Sequence, residues 1–187
     1  MMRAFLLALI AIATIIAAAA CGGSYASTTT TTTGPAPPRT FASQRYGFRV
    51  TLPGDWSEQD AQADWDGKNL PAPDEPVGAN FPDATGRELV VVSAPTGLRL
   101  AAFRAAMQAA EVPHSCSASS LAAQTSLDGE PALEWTATCV DGDDLNNLAA
   151  LHGTHGYMIF LANPRPTNAG ENRRTFESAR QSFRFTR

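Results

Sequence analysis

A run of seventeen residues, 4–20, apolar except for Thr14, ends at Cys21, and nothing between there and residue 40 can join a hydrophobic core. Residues 22–40 hold six consecutive threonines at 28–33, then Pro35, Pro37 and Pro38. Such a segment buries too little apolar surface to offset the entropy of ordering it. It is expected as a disordered, partly polyproline-like spacer. Whatever folds must therefore fold from Phe41 onward, 147 of the 187 residues, which is enough for one core. The expected organisation is 1–20 as a signal peptide, 21–40 as a cysteine with its tether, and 41–187 as one globular domain.

The junction itself carries an address. Met1-Met2-Arg3 supplies one positive charge ahead of the apolar run, and Ala18-Ala19-Ala20-Cys21-Gly22-Gly23 puts small residues before a cysteine and flexible ones after it. This resembles a bacterial lipobox, although Ala18 stands where that pattern prefers Leu. The resemblance implies that the Cys21 thiol receives a diacylglycerol and that the new amino terminus is acylated, palmitate being the expected chain. The same alanines also satisfy the A-x-A rule of ordinary secretion, and an uncleaved anchor is a third reading.

Cysteine arithmetic favours the lipid. There are three cysteines, and an oxidising exterior pairs two of them. Cys116 and Cys139 lie inside the folded region, so Cys21 is the odd one. Charge excludes one class of partner: 14 basic against 18 acidic side chains, with Lys68 the single lysine and no basic run, argue against nucleic acid.

Within 41–187, Tyr46, Phe48, Val50 and Leu52 alternate with polar or small residues, the period of a half-buried strand. Pro53-Gly54-Asp55 ends it, and Trp56 is expected to fold back as a core plug. Residues 57–76 are polar and proline-bearing, a loop. Two apolar segments, 77–81 and 88–94, flank turn-forming residues 82–86 and read as a hairpin. Thr96 can cap a helix running to Glu111, whose Leu100, Phe103, Met107 and Ala110 form one apolar stripe.

Two more hairpins follow. If residues 126–129 form a four-residue loop with Gly129 at positive φ, opposed positions sum to 255. Cys116 then faces Cys139, and Leu133, Trp135 and Ala137 face Ala122, Ser120 and Ala118. His155-Gly156 reads as the turn of the next hairpin, pairing Leu151 with Phe160 and His152 with Ile159. Asn168 and Glu171 make a capping-box-like start for a second helix, with Phe176, Ala179 and Phe183 on its stripe. Residues 183–185 end the fold as a short strand or a helix exit. Sequential hairpins and two amphipathic helices give an α+β class with a mostly antiparallel sheet.

Motifs of catalysis are absent from the sequence: no G-x-S-x-G, H-E-x-x-H, Walker loop or G-x-G-x-x-G occurs. The histidines are His114, His152 and His155. His152 and His155 fall on a strand and its turn, so their three-residue spacing does not converge them. Asp141-Gly142-Asp143-Asp144 fails the EF-hand pattern, because Leu145 stands where an oxygen ligand is needed, and it reads as a solvated loop. No catalytic residue, metal or cofactor is expected. Trp56 and Trp135 read as core. Trp65, in a polar stretch, is the candidate ligand-binding residue at the rim of a patch or pocket.

Three segments resemble one family. Tyr46-Gly47-Phe48-Arg49-Val50-Thr51-Leu52-Pro53-Gly54-Asp55-Trp56 looks like the opening signature of PsbP-like domains. Leu127-Asp128-Gly129-Glu130-Pro131-Ala132 resembles their central hairpin turn. Phe176-Glu177-Ser178-Ala179-Arg180-Gln181-Ser182-Phe183-Arg184-Phe185 is similar to their closing helix and strand. The resemblance implies an α-β-α sandwich around an antiparallel sheet. With the tether, it further implies an actinobacterial cell-envelope lipoprotein of the LpqN-like group. The expected function is a non-enzymatic, lipid-anchored extracytoplasmic binding module whose partner is an envelope protein. The alternative is a carrier or chaperone holding an apolar envelope lipid between helix and sheet.

Overall fold

The computed structural model describes residues 36–72, 75–111, 114–164 and 169–187. Cys21, the apolar run before it and the threonine run lie outside them, as does the Asn168 cap. Alternation becomes strand where a face must be buried: β2 (Phe48–Leu52) buries Phe48, Val50 and Leu52 and exposes Arg49. It is flanked by β1 (Arg39–Ser43) and β10 (Arg184–Phe185) in a three-stranded antiparallel sheet. β1 starts at Arg39, inside the stretch assigned to the tether, because pairing with β2 satisfies its backbone. Tyr46 and Gly47 precede β2 in a turn closed by Gly47 N–H on the Ser43 carbonyl.

The larger sheet takes the hairpins. β3 (Ala79–Pro82), β4 (Glu88–Pro95), β9 (His155–Asn163), β8 (Asp144–His152) and β7 (Glu130–Cys139) lie side by side. β5 (Cys116–Ala118) and β6 (Ala123–Leu127) share the outer edge of β7, and every pairing is antiparallel. β4 is apolar on both faces because it lies inside the sheet, between β3 and β9.

α1 (Leu100–Glu111) covers one face with Phe103 and Met107, both buried. Each such side chain contributes roughly 2 kcal/mol of burial. Phe103 lies directly over Gly156, so close that a Cβ there would stand 2.6 Å from its ring. The other face is shared by α2 (Ala169–Ser182) and the three-stranded sheet. There Phe48 stacks on Phe183 at 5.0 Å, and the Tyr157 hydroxyl donates to the Tyr46 carbonyl at 2.7 Å. Glu134, 6% exposed, projects to that face and pairs with Arg173 at 2.5 Å and Arg180 at 4.0 Å, both from α2. The class is α+β with two helices over mostly antiparallel sheets. One layer is built partly of strand, which the expected two-helix cover did not include.

Two registers differ from expectation. The β8–β9 turn is Gly153-Thr154, and His152 faces His155. Leu151 therefore meets Gly156 and Leu148 meets Ile159, in place of Leu151 with Phe160. Gly153 at φ 57° supplies the left-handed first turn residue that this hairpin needs. The β6–β7 turn is two residues long, Asp128-Gly129, both at positive φ (49° and 86°), with Leu127 opposite Glu130. Opposed residues there sum to 257, as in Ala123 with Glu134. Past residues 119–122 the sum becomes 255, and Cys116 faces Cys139, to which it is disulfide-bonded. The four irregular residues absorb the difference while Ser119 N–H donates to the Thr136 carbonyl and Ser120 Oγ accepts the Thr136 N–H.

Candidate functional site

The loop between β2 and β3 carries Trp65 inward. Asp66 accepts the backbone N–H groups of Lys68 and Asn69 at 2.8 and 3.1 Å, folding the loop back on itself. The Trp65 indole N–H donates to the Asn69 carbonyl at 2.6 Å. Trp65 is only 5% exposed, so it is not an exposed patch; it forms part of the wall of an open cleft of about 560 Å³. Tyr46 and Tyr157 stand beside it. The β8–β9 turn, with His152, Thr154 and His155, forms the far side.

Polar groups in this cleft are largely committed to one another. Arg45 Nη1 meets Asp64 at 2.5 Å, while its Nε and Nη2 donate to the carbonyls of Ala61 and Gln62. Arg187 donates to the carbonyls of Gln44 and Arg45. His152 lies between Glu130 Oε1 at 3.0 Å and the Arg187 backbone oxygen at 2.7 Å. Tyr46 donates to the Val77 carbonyl, and burial pushes its phenol up to about 12. Tyr157 is likewise raised by burial. Neither phenol is placed to ionise near neutral pH.

Other singled-out residues go elsewhere. His152 and His155 are direct cross-strand neighbours, closer than their assignment to strand and turn implied, but His152 Nδ1 faces Glu130 and His155 Nδ1 faces Thr154 at 3.3 Å. Among the described residues, no three His, Cys, Asp or Glu side chains are grouped to hold a metal ion. Trp56 is buried with the Arg87 guanidinium over its ring at 5.6 Å. Cys116 and Cys139 border a smaller pocket at the opposite end of the β8–β9 hairpin, where Asp141 and Asp143 also lie.

That smaller pocket contains the residue the sequence reading missed. Glu111 is 1% exposed, accepts the Trp135 indole N–H on Oε1 at 2.8 Å, and buries Oε2 without a partner. Burial holds its carboxyl up to about 7, against the Trp135 hydrogen bond and the Arg104 charge, which lower it. The signal was present: Phe103, Met107 and Glu111 are four residues apart, which puts an acid on the apolar stripe.

No family model matches the chain, and no curated protein matches it. Among solved structures it is similar to the solution structure of cyanobacterial PsbP (CyanoP) from Synechocystis sp. PCC 6803. That match has 15% identity and a TM-score of 0.55, covering 89% of this chain and 98% of that one. A crystal structure from Bacteroides thetaiotaomicron VPI-5482 matches at 12% identity and a TM-score of 0.48, over 80% of this chain and 48% of that one. The first likeness shows a PsbP-like fold. Fold alone does not carry a function.

Proposed function

We propose that this chain is a non-enzymatic, extracytoplasmic lipoprotein of the cell envelope, akin to the LpqN-like group, acting as a protein-interaction or accessory module. A lipid on Cys21 anchors it to the plasma membrane, and the Thr/Pro tether holds the PsbP-like domain away from the surface. The observation that carries the reading is the Trp65 cleft. It is open, of mixed polarity, and lined by charged groups that already have partners, which suits a segment of another protein better than a bare hydrocarbon. Among the described residues no helix is long and apolar enough to cross a membrane.

The carrier reading has less support. A lipid chamber between helix and sheet would lie under α1, and there Phe103 fills the space over Gly156 while Met107 is fully buried.

The test places a photo-crosslinking residue at Thr154, in the cleft, or at Ser178, on α2, of the full chain in its own host's envelope. A discrete protein adduct from Thr154 and none from Ser178 supports the module. A lipid adduct of reproducible mass transfers the assignment to the carrier, and equal labelling at both positions overturns the cleft. Mass spectrometry of the mature amino terminus, with Cys21→Ala shifting the protein out of the membrane fraction, tests the anchor separately.

A further inference from the structure

The pocket at Glu111 is built around a buried carboxyl with one unpartnered oxygen. Its walls are apolar: Leu70 and Pro71 from the β2–β3 loop, Leu145 from β8, and Phe160 and Ala162 from β9, enclosing about 240 Å³. Glu111 enters this wall from the last turn of α1 with one oxygen on Trp135 and the other buried and unpartnered. A buried acceptor left without a donor is costly, the more so when it is charged. A second orphan lies in the sheet behind the pocket lining. Asn147 has no exposed surface, neither of its amide atoms has a partner, and its register places it between Trp135 and Phe160.

The mouth has the same sign as the interior. Asp141 and Asp143 line it, and Asp143 is raised by burial and then by Asp141 and Asp144, so their charges are mutually unrelieved. Among the described residues His114 is the only basic one in the lining. Arg104, two turns earlier on α1, points Nη1 at Gln108. A metal ion would need several oxygen or nitrogen ligands converging at about 2.0–2.6 Å, and these groups do not converge. An organic cation needs less: one anion for its head, hydrocarbon and an aromatic face for its body.

We infer that this pocket binds a small organic ammonium ion, its charged head on Glu111 and its apolar body against Leu70, Pro71 and Phe160. The ammonium supplies the hydrogen-bond donor that Glu111 Oε2 lacks, and the rim aspartates draw it in. This site is separate from the Trp65 cleft and does not depend on the lipid anchor.

Pentylamine is the probe, with 1-pentanol as its uncharged counterpart and pentanoate as its anionic one. The Trp135 indole N–H, bonded to Glu111, is the reporter in a ¹H–¹⁵N spectrum of the full chain in mild detergent. The expected result is a saturable shift with pentylamine, at least tenfold tighter than with pentanol, and none with pentanoate. Glu111→Gln removes the preference for the amine. Ala162→Met, which fills the pocket and leaves Glu111 in place, removes the shift. Equal response to amine and alcohol, an unmoved Trp135 signal, or undiminished binding in a folded Ala162→Met variant overturns the inference.

Discussion

The His152 imidazole lies flat on the Phe185 ring, with centroids 4.1 Å apart and planes within 2°. Its two nitrogens face Glu130 and the Arg187 backbone oxygen, so a doubly protonated ring donates to both and a neutral ring to only one. His152 thereby fastens the last strand of the fold to β8. Replacing it with Ala is expected to raise amide exchange at Phe185 and Thr186 about tenfold, and to cost about 1 kcal/mol globally. Their amides otherwise donate to Asp128 and to the Gly47 carbonyl. Hydrogen exchange followed by NMR reads both, and unchanged protection at Phe185 refutes the fastening.

Gly156→Ala brings a methyl group to 2.6 Å from the Phe103 ring. The expected cost is about 2 kcal/mol, as for overpacking of a close-packed core. Combining it with Phe103→Leu should recover part of that loss, because the two sites share one contact. Urea unfolding of both singles and the double variant measures the coupling.

Glu134→Gln removes the charge that Arg173 and Arg180 share beneath α2. Glu134 is buried whereas Arg173 is half exposed, so the acid side of the pair carries the larger penalty. The expected loss is about 2 kcal/mol for Glu134→Gln and under about 1 for Arg173→Gln. Chemical denaturation reports both.

Glu111 makes stability depend on pH in the sense opposite to most acids. Burial raises its folded-state pKa to about 7 from an ordinary value of 4.5, so the folded chain holds that proton more tightly than the unfolded one. The stabilisation is full below about 4.5 and is lost as pH rises through about 7. Raising pH from 5 to 8 should cost about 2 kcal/mol from this group, after allowance for screening at the pocket mouth. Glu111→Gln should flatten that slope, which thermal unfolding across the range can measure.

Much of the fold is legible because burial leaves a period. Phe48, Val50 and Leu52, the two-faced run at 89–92 and the Phe103–Met107 stripe all lie where that period puts them. His155-Gly156 misleads because glycine reads locally as a turn, whereas Gly156 is a strand residue made small for an aromatic ring from α1. The cysteine pairing illustrates a different limit. A four-residue loop with no interruption and a two-residue loop with two surplus residues give the same partner for Cys116. Trp65 is legible as unusual but not as buried, since the Asp66 turn that folds its loop inward has no signature beyond common polar residues. Glu111 is overlooked as the last residue of its helix, although its spacing from Met107 marks it.

Residues 119–122 face only Trp135 and Thr136, a surplus of two. Two is an even number, and parity decides which side of a sheet a side chain occupies. Excising one of the four would invert β5, turning Cys116 toward α2 and leaving Cys139 alone on the α1 side. Excising two would regularise the ladder with both sulfurs still opposed. Length at this edge is therefore quantised in pairs for as long as the disulfide is kept.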